Sequence, residues 1–259
     1  MEARNMDKRF EGRVAFVTGA GAGLGRESAL MLAAEGARLI LLDRDAAGLQ
    51  ETAAQCPGAL SLVGDAASAE DVRRAAALAR EQLGPVEFLV AAAGIVGPAK
   101  PAIEVSEEEW DRLFAVNVKG PWLAVKAVVP QMRELGRGSI VLFSSTAGLV
   151  GSPFLSAYSA SKGAVTLLTR SLALNHAAEN IRVNCVCPGT IDTPMARGSF
   201  AQAGDAAAQQ ERADVMRSRI PMGRFGQARE IATAVLYFLS DGAGFTTGTA
   251  LPIDGGRVA

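Results

Sequence analysis

The chain has 259 residues, 49% of them hydrophobic but only 5% aromatic, with a formal net charge of −1. That size and composition suit a single α/β domain over 1–259, with a large core of Ala, Val, Leu and Ile. The near-neutral charge and lack of a basic run argue against nucleic acid as a partner, and no apolar stretch reaches the roughly 18 residues that span a bilayer.

The N-terminal stretch MEARNMDKRFEGR carries both charge signs and lacks the apolar core of a signal peptide, so a cytoplasmic location is expected. The first strand, Val14–Val17, runs into Thr18-Gly19-Ala20-Gly21-Ala22-Gly23-Leu24-Gly25 and a helix near 24–35 that Gly36 closes. Glycines between a strand and a helix let the backbone approach a pyrophosphate, and the helix start offers free N–H groups. The spacing departs from the common GxGxxG form. The second strand, Arg38–Leu42, ends at Asp43, close to the roughly 20-residue spacing expected of a ribose-binding acid. Its carboxylate can accept both adenosine ribose hydroxyls and repels a 2′-phosphate. Ala22 adds no positive charge to the loop, whereas Arg44 could hold phosphate or stack on adenine. The balance favours NAD over NADP.

A third strand at Ala59–Val63 precedes a helix near 69–83, which Gly84-Pro85 stops; Ser68 to Asp71 has capping-box spacing. A fourth strand, Phe88–Ala91, leads to a long helix near 107–134, again with capping-box spacing at Ser106 to Glu109. A fifth strand, Ser139–Phe143, precedes a helix near 157–178 that carries the only histidine, His176. With one histidine, His-based metal sites and Ser-His-Asp hydrolysis are excluded, and no metal is expected. The sixth strand, Arg182–Val186, holds Cys185; with Cys187 and Cys56 it reads as a set of buried free thiols. Pro194 to Ile220 is a long insertion after that strand, read as a substrate lid. A helix near 228–239 and a strand at Ala250–Ile253 close the chain. The apolar runs are continuous rather than alternating, as in strands covered on both faces. The fold class is therefore α/β, a doubly wound parallel sheet with helices on both faces.

Within the 157–178 helix, Tyr158 and Lys162 stand four residues apart, one above the other on one face. A phenol with a reference pKa near 10 is a poor base, and a fixed ammonium beside it favours the phenolate. Taken alone, the pair is equally compatible with a solvated helix face.

Together these residues resemble the short-chain dehydrogenase/reductase family over about Phe10 to Gly256. Thr18-Gly19-x-x-x-Gly23-x-Gly25 is similar to its cofactor loop and Tyr158-x-x-x-Lys162 to its active-site pair. Ser145 stands at the family's usual distance before Tyr158, and Asn117 matches its fourth catalytic member. The resemblance implies that Gly19, Gly23, Leu24, Gly25, Asp43, Arg44, Asp65, Ala66, Ala93 and Gly94 border the dinucleotide. It implies the same of Tyr158, Lys162, Pro188, Gly189, Ile191 and Thr193, with Pro188–Thr193 holding the nicotinamide carboxamide. One departure is Ala91-Ala92-Ala93-Gly94, where the family usually has Asn-Asn-Ala-Gly; altered local hydrogen bonding is expected there.

The implied reaction is hydride transfer between NAD and a secondary alcohol or its ketone. Tyr158 exchanges the hydroxyl proton, Lys162 stabilises the phenolate and bonds the nicotinamide ribose, and Ser145 donates to the substrate oxygen. Asn117 holds a water that links Lys162 to solvent. Loops after strands four to six offer Val96, Ala147, Phe154, Leu155, Thr190, Met195 and Phe200 as substrate contacts, an apolar set that suggests a neutral alicyclic or aromatic alcohol or ketone. Arg197 is the nearest lid cation and reads as solvated. Two alternatives stand: a 3-oxoacyl-carrier-protein reductase using NADPH, against which Asp43 and Leu174 speak, and a non-catalytic nucleotide sensor. The resemblance also implies a homotetramer, with the 107–134 and 157–178 helices and the last strand at its interfaces.

Overall fold

The computed structural model describes residues 8–259; the stretch 1–7 of the N-terminal reading lies outside the described residues. Seven strands, β1 (Val14–Thr18), β2 (Arg38–Asp43), β3 (Leu60–Val63), β4 (Phe88–Ala91), β5 (Gly138–Phe143), β6 (Ile181–Pro188) and β7 (Ala250–Ile253), pair in the order β3-β2-β1-β4-β5-β6-β7. Every pairing is parallel. The continuous apolar runs have a direct cause. Val14, Phe16, Ile40 and Leu42 enter one core, while Ala15, Val17, Leu39 and Leu41 enter another on the opposite face.

On the first face pack α3 (Ala69–Gln82), α5 (Gly120–Leu135) and α6 (Ser156–His176), through residues such as Val72, Val128 and Val165. On the second pack α1 (Gly23–Ala34), α2 (Ala46–Ala54) and α9 (Ala228–Leu239), through Leu32, Leu49 and Val235. The sheet order reverses between β1 and β4, so the crevice at the carboxyl ends of these strands is where such a sheet takes ligands.

Three elements differ from the sequence expectation. Helix α2 was not foreseen, because Gly48 interrupts its short apolar pattern; a side chain there would lie 2.5 Å from the Gly21 carbonyl. The expected 107–134 helix is α4 (Glu107–Phe114) and α5 joined by a π-helical turn, Ala115–Lys119. Pro121 has no N–H, so the α-helical bond to the Asn117 carbonyl four residues back cannot form. The insertion 194–220 is two helices, α7 (Pro194–Ala201) and α8 (Ala206–Ser218), rather than a loop. The capping box closes at Ser106 and Glu109, in both directions. At Ser68 only half of it forms, because the shorter Asp71 carboxylate accepts from Asp65 N instead.

Candidate active site

The cleft above the β1–β4 crevice has two connected regions. The first is built by the β1–α1 loop. Gly19 has φ +68, and a Cβ there would meet Ala93 N at 2.6 Å; a Cβ on Gly25 would lie 2.1 Å from the Gly19 carbonyl oxygen. The loop therefore packs backbone against backbone, which only glycine permits. Helix α1 begins at Ala22 with no side-chain cap and no acid in its first turn, leaving its N–H groups for an anion.

Asp43, at the end of β2, accepts from Gly21 N (2.8 Å) and Asp45 N (3.0 Å). This fixes the carboxylate at the rim, and each oxygen keeps a further acceptor site. Arg44 is exposed beside it. Gly19, Gly23, Leu24, Gly25, Asp43, Arg44, Asp65, Ala66, Ala93 and Gly94 all line this region. Leu42, Gly64, Ala92, Ile95 and Val116 line it as well and were not singled out in the sequence. They are small or apolar residues whose position only the crevice reveals. At the Ala91–Gly94 departure, Thr18 takes over the tie: its carbonyl accepts from Ala92 N (3.2 Å) and its hydroxyl from Ala93 N (3.3 Å).

The second region lies against α6. Tyr158 and Lys162 both face it, with Lys162 Nζ 5.7 Å from the centre of the Tyr158 ring. Lys162 is only 6% exposed and donates to the Phe143 carbonyl at 2.7 Å. Burial without a carboxylate partner lowers its pKa to about 8. Burial also raises the Tyr158 pKa, and the Ser145 hydroxyl pulls it partly back. Of the three adjacent hydroxyls, Ser144 is tied beneath α6 to the Lys162 carbonyl (2.9 Å) and Thr166 (2.7 Å). Ser145 accepts from Ala147 N and acts on Tyr158. Geometry thus separates Ser145 from Ser144, where sequence had only spacing.

Asn117 is fully buried. Its amide accepts from Ile95 N and donates to Ile95 O, both at 2.9 Å, and donates to Ser161 at 3.1 Å. The side chain is therefore occupied in joining β4's loop to α6. What it leaves over is its main-chain carbonyl, deprived of an α-helical donor by Pro121.

Pro188, Gly189, Thr190, Ile191, Thr193, Val96, Ala147, Leu155, Met195 and Phe200 line this second region. Phe154 does not. It has φ +59, is 62% exposed, and its carbonyl accepts from Lys100 N, so the turn directs its ring away. Arg197 pairs with Asp192 at 2.5 Å and is exposed. Residues not foreseen are Val150, Ser152 and Ser199, Met216 from α8, and Arg257 from the C-terminal turn. Residues from α7 and α8 thus wall one side of the cavity.

The family model described as enoyl-(acyl carrier protein) reductase matches residues 19–257. A 2-(S)-hydroxypropyl-CoM dehydrogenase of Xanthobacter autotrophicus is 38% identical over 98% of this chain and 100% of its own length. A crystal structure of levodione reductase superposes with TM-score 0.93 at 36% identity, covering 96% of this chain and 98% of that one. NAD+-bound xylitol dehydrogenase superposes at 0.91 and 36% identity, covering 96% and 100%. The chain belongs to the short-chain dehydrogenase/reductase family. Within it, this is an NAD(P)-dependent alcohol dehydrogenase or ketoreductase.

Proposed function

We propose that the protein interconverts a secondary alcohol and its ketone with NAD as the preferred cofactor. The observation that carries the reading is the convergence of Ser145, Tyr158 and Lys162 on one cavity that opens into the glycine-lined cleft. A bound NAD supplies the hydride chemistry. Gly19, Gly23 and the bare α1 start would take its pyrophosphate, Asp43 its adenosine ribose, and Pro188–Thr193 its nicotinamide side.

The residues do the rest. Tyr158 exchanges a proton with the substrate oxygen, and Ser145 donates a hydrogen bond to that same oxygen, where charge develops. Lys162 supplies positive charge under the phenol. The Asn117 amide is taken up by Ile95 and Ser161, so its main-chain carbonyl, which lacks an i+4 donor because of Pro121, is the atom suited to the water that links Lys162 to solvent. Asp43, already fixed by two backbone N–H groups, supports NAD over NADP by its charge. Parallel rates with NADH and NADPH across cyclic, aromatic and aliphatic ketones test the reading; equal use of both cofactors would remove the NAD preference.

Exposed Trp122 on α5, Leu167 and Leu174 on α6, and fully exposed Phe245 before β7 support a homotetramer. Trp122, Leu167 and Leu174 belong to the two helices expected at its interfaces. Gel filtration of the protein and of Leu167→Glu checks it: the wild type should elute near four times 26.8 kDa and the variant smaller.

A further inference from the structure

The substrate side of the cavity is lined by two cations and no carboxylate among the described residues. One cation, Lys162, is committed to the Phe143 carbonyl under Tyr158. The other is Arg257. This residue is partly buried, has no acidic partner among the described residues, and its guanidinium reaches only the Thr190 hydroxyl, at 3.4 Å.

The nearest acidic side chain in sequence, Asp254, forms no ion pair with it and is turned to the backbone instead. Its two carboxylate oxygens accept from Gly256 N and Val258 N, each at 3.0 Å, clasping the turn on either side of Arg257. That turn is itself pinned. Gly189 N donates to Ile253 O at 3.0 Å, a Cβ on Gly189 would lie 2.8 Å from Asp254 Cα, and Met222 N donates to Gly255 O. The C-terminal turn thus sits on the Pro188–Thr193 segment and fixes Arg257 beside Thr190. A partly desolvated guanidinium with open donors and no counter-ion calls for an anion.

Resting on the alcohol–ketone reading, we propose that Arg257, with Thr190, binds a carboxylate of the substrate, carried on the same molecule as the reacting carbon. Arg197 of α7 is already paired with Asp192, so Arg257 is the cation that turns the neutral substrate expected from the apolar lining into an acidic one.

The test uses the full-length enzyme, Arg257→Gln and Arg257→Lys, with NAD. Substrates are 4-hydroxypentanoate and 4-hydroxycyclohexanecarboxylate against their primary amides, which keep the shape and remove the charge. Wild type should favour each acid over its amide by about 10²-fold in kcat/KM, consistent with loss of one partner of a buried charge pair. Arg257→Gln should erase that preference through KM while leaving the amides within about threefold, and Arg257→Lys should restore part of it. NADH binding, unchanged in both variants, shows that they are folded.

A second readout needs no turnover: thermal stabilisation of the NADH-loaded enzyme by cyclohexanecarboxylate against cyclohexanecarboxamide. Stabilisation by the acid alone, lost in Arg257→Gln, upholds the anion site even if no secondary alcohol reacts, in which case it is the reaction reading that falls. Equal effects of acid and amide, or equal losses for both in Arg257→Gln, overturn the proposal.

Discussion

Lys162→Met isolates what the buried ammonium costs the fold. A lysine whose pKa falls from 10.5 to about 8 on folding destabilises the native state by about 3 kcal/mol at neutral pH. The sign follows from proton counting. Below pH 8 both states hold the proton and the penalty is full. Between about pH 8 and 10.5 the unfolded chain keeps its proton while the native one has lost it, so stability rises with pH; above 10.5 the penalty is gone. Methionine matches the chain length without the charge, but it leaves the Phe143 carbonyl without its donor, at about 1–3 kcal/mol. The two terms nearly cancel. The variant should unfold within about 2 kcal/mol of wild type at pH 7, with turnover lost. The gap between the two should then shift by about 3 kcal/mol in favour of wild type by pH 10.5. Urea denaturation at pH 7 and near 10.5, at equal protein concentration, reads this directly. Parallel stability curves across that window would show that Lys162 does not titrate in it and would refute the burial argument.

Tyr158→Phe should lower kcat/KM at least 10³-fold while NADH binding is kept, since the ring stays and only the proton carrier goes. The chain has just two tyrosines, so the difference in phenolate absorbance between wild type and this variant reports Tyr158; it should ionise above the usual phenol range, because burial raises its pKa. Asp43→Ser should weaken NAD by about 10–100-fold, the loss of a charged hydrogen-bonding group, and raise the NADP/NAD ratio of kcat/KM as Arg44 gains the opening; an unchanged ratio would place cofactor choice elsewhere. In Gly25→Ala the new methyl falls 2.1 Å from the Gly19 oxygen, so fluorescence titration should find NADH affinity reduced more than tenfold, and wild-type affinity would contradict the packed-loop geometry.

What the sequence made legible was set by local spacing. The central strands could be read because their apolar runs are continuous, alternate residues feeding two cores; edge strand β3 instead alternates, with Ser61 and Val63 exposed. The glycine loop, Asp43 and the Tyr158–Lys162 step needed only neighbours in the chain. What it concealed depends on contacts between distant segments. Gly48 looks like a helix breaker until the Gly21 carbonyl is seen against it. Phe154 falls in the right loop, but a left-handed turn sends it outward. Arg257 meets Thr190 across a chain separation of 67 residues, through the pairing of β6 with β7 and the Asp254 clasp.

The Tyr158–Lys162 pair shows the same division within one site. Its i, i+4 geometry was visible at once, and so was the chemical inference drawn from it, an ammonium easing phenol ionisation; the burial of the two groups was not. Burial acts on both in the opposite sense, raising the phenol and lowering the ammonium. Tyr158 therefore holds its proton more tightly than a solvated phenol, which favours the pair as a proton donor over a proton acceptor.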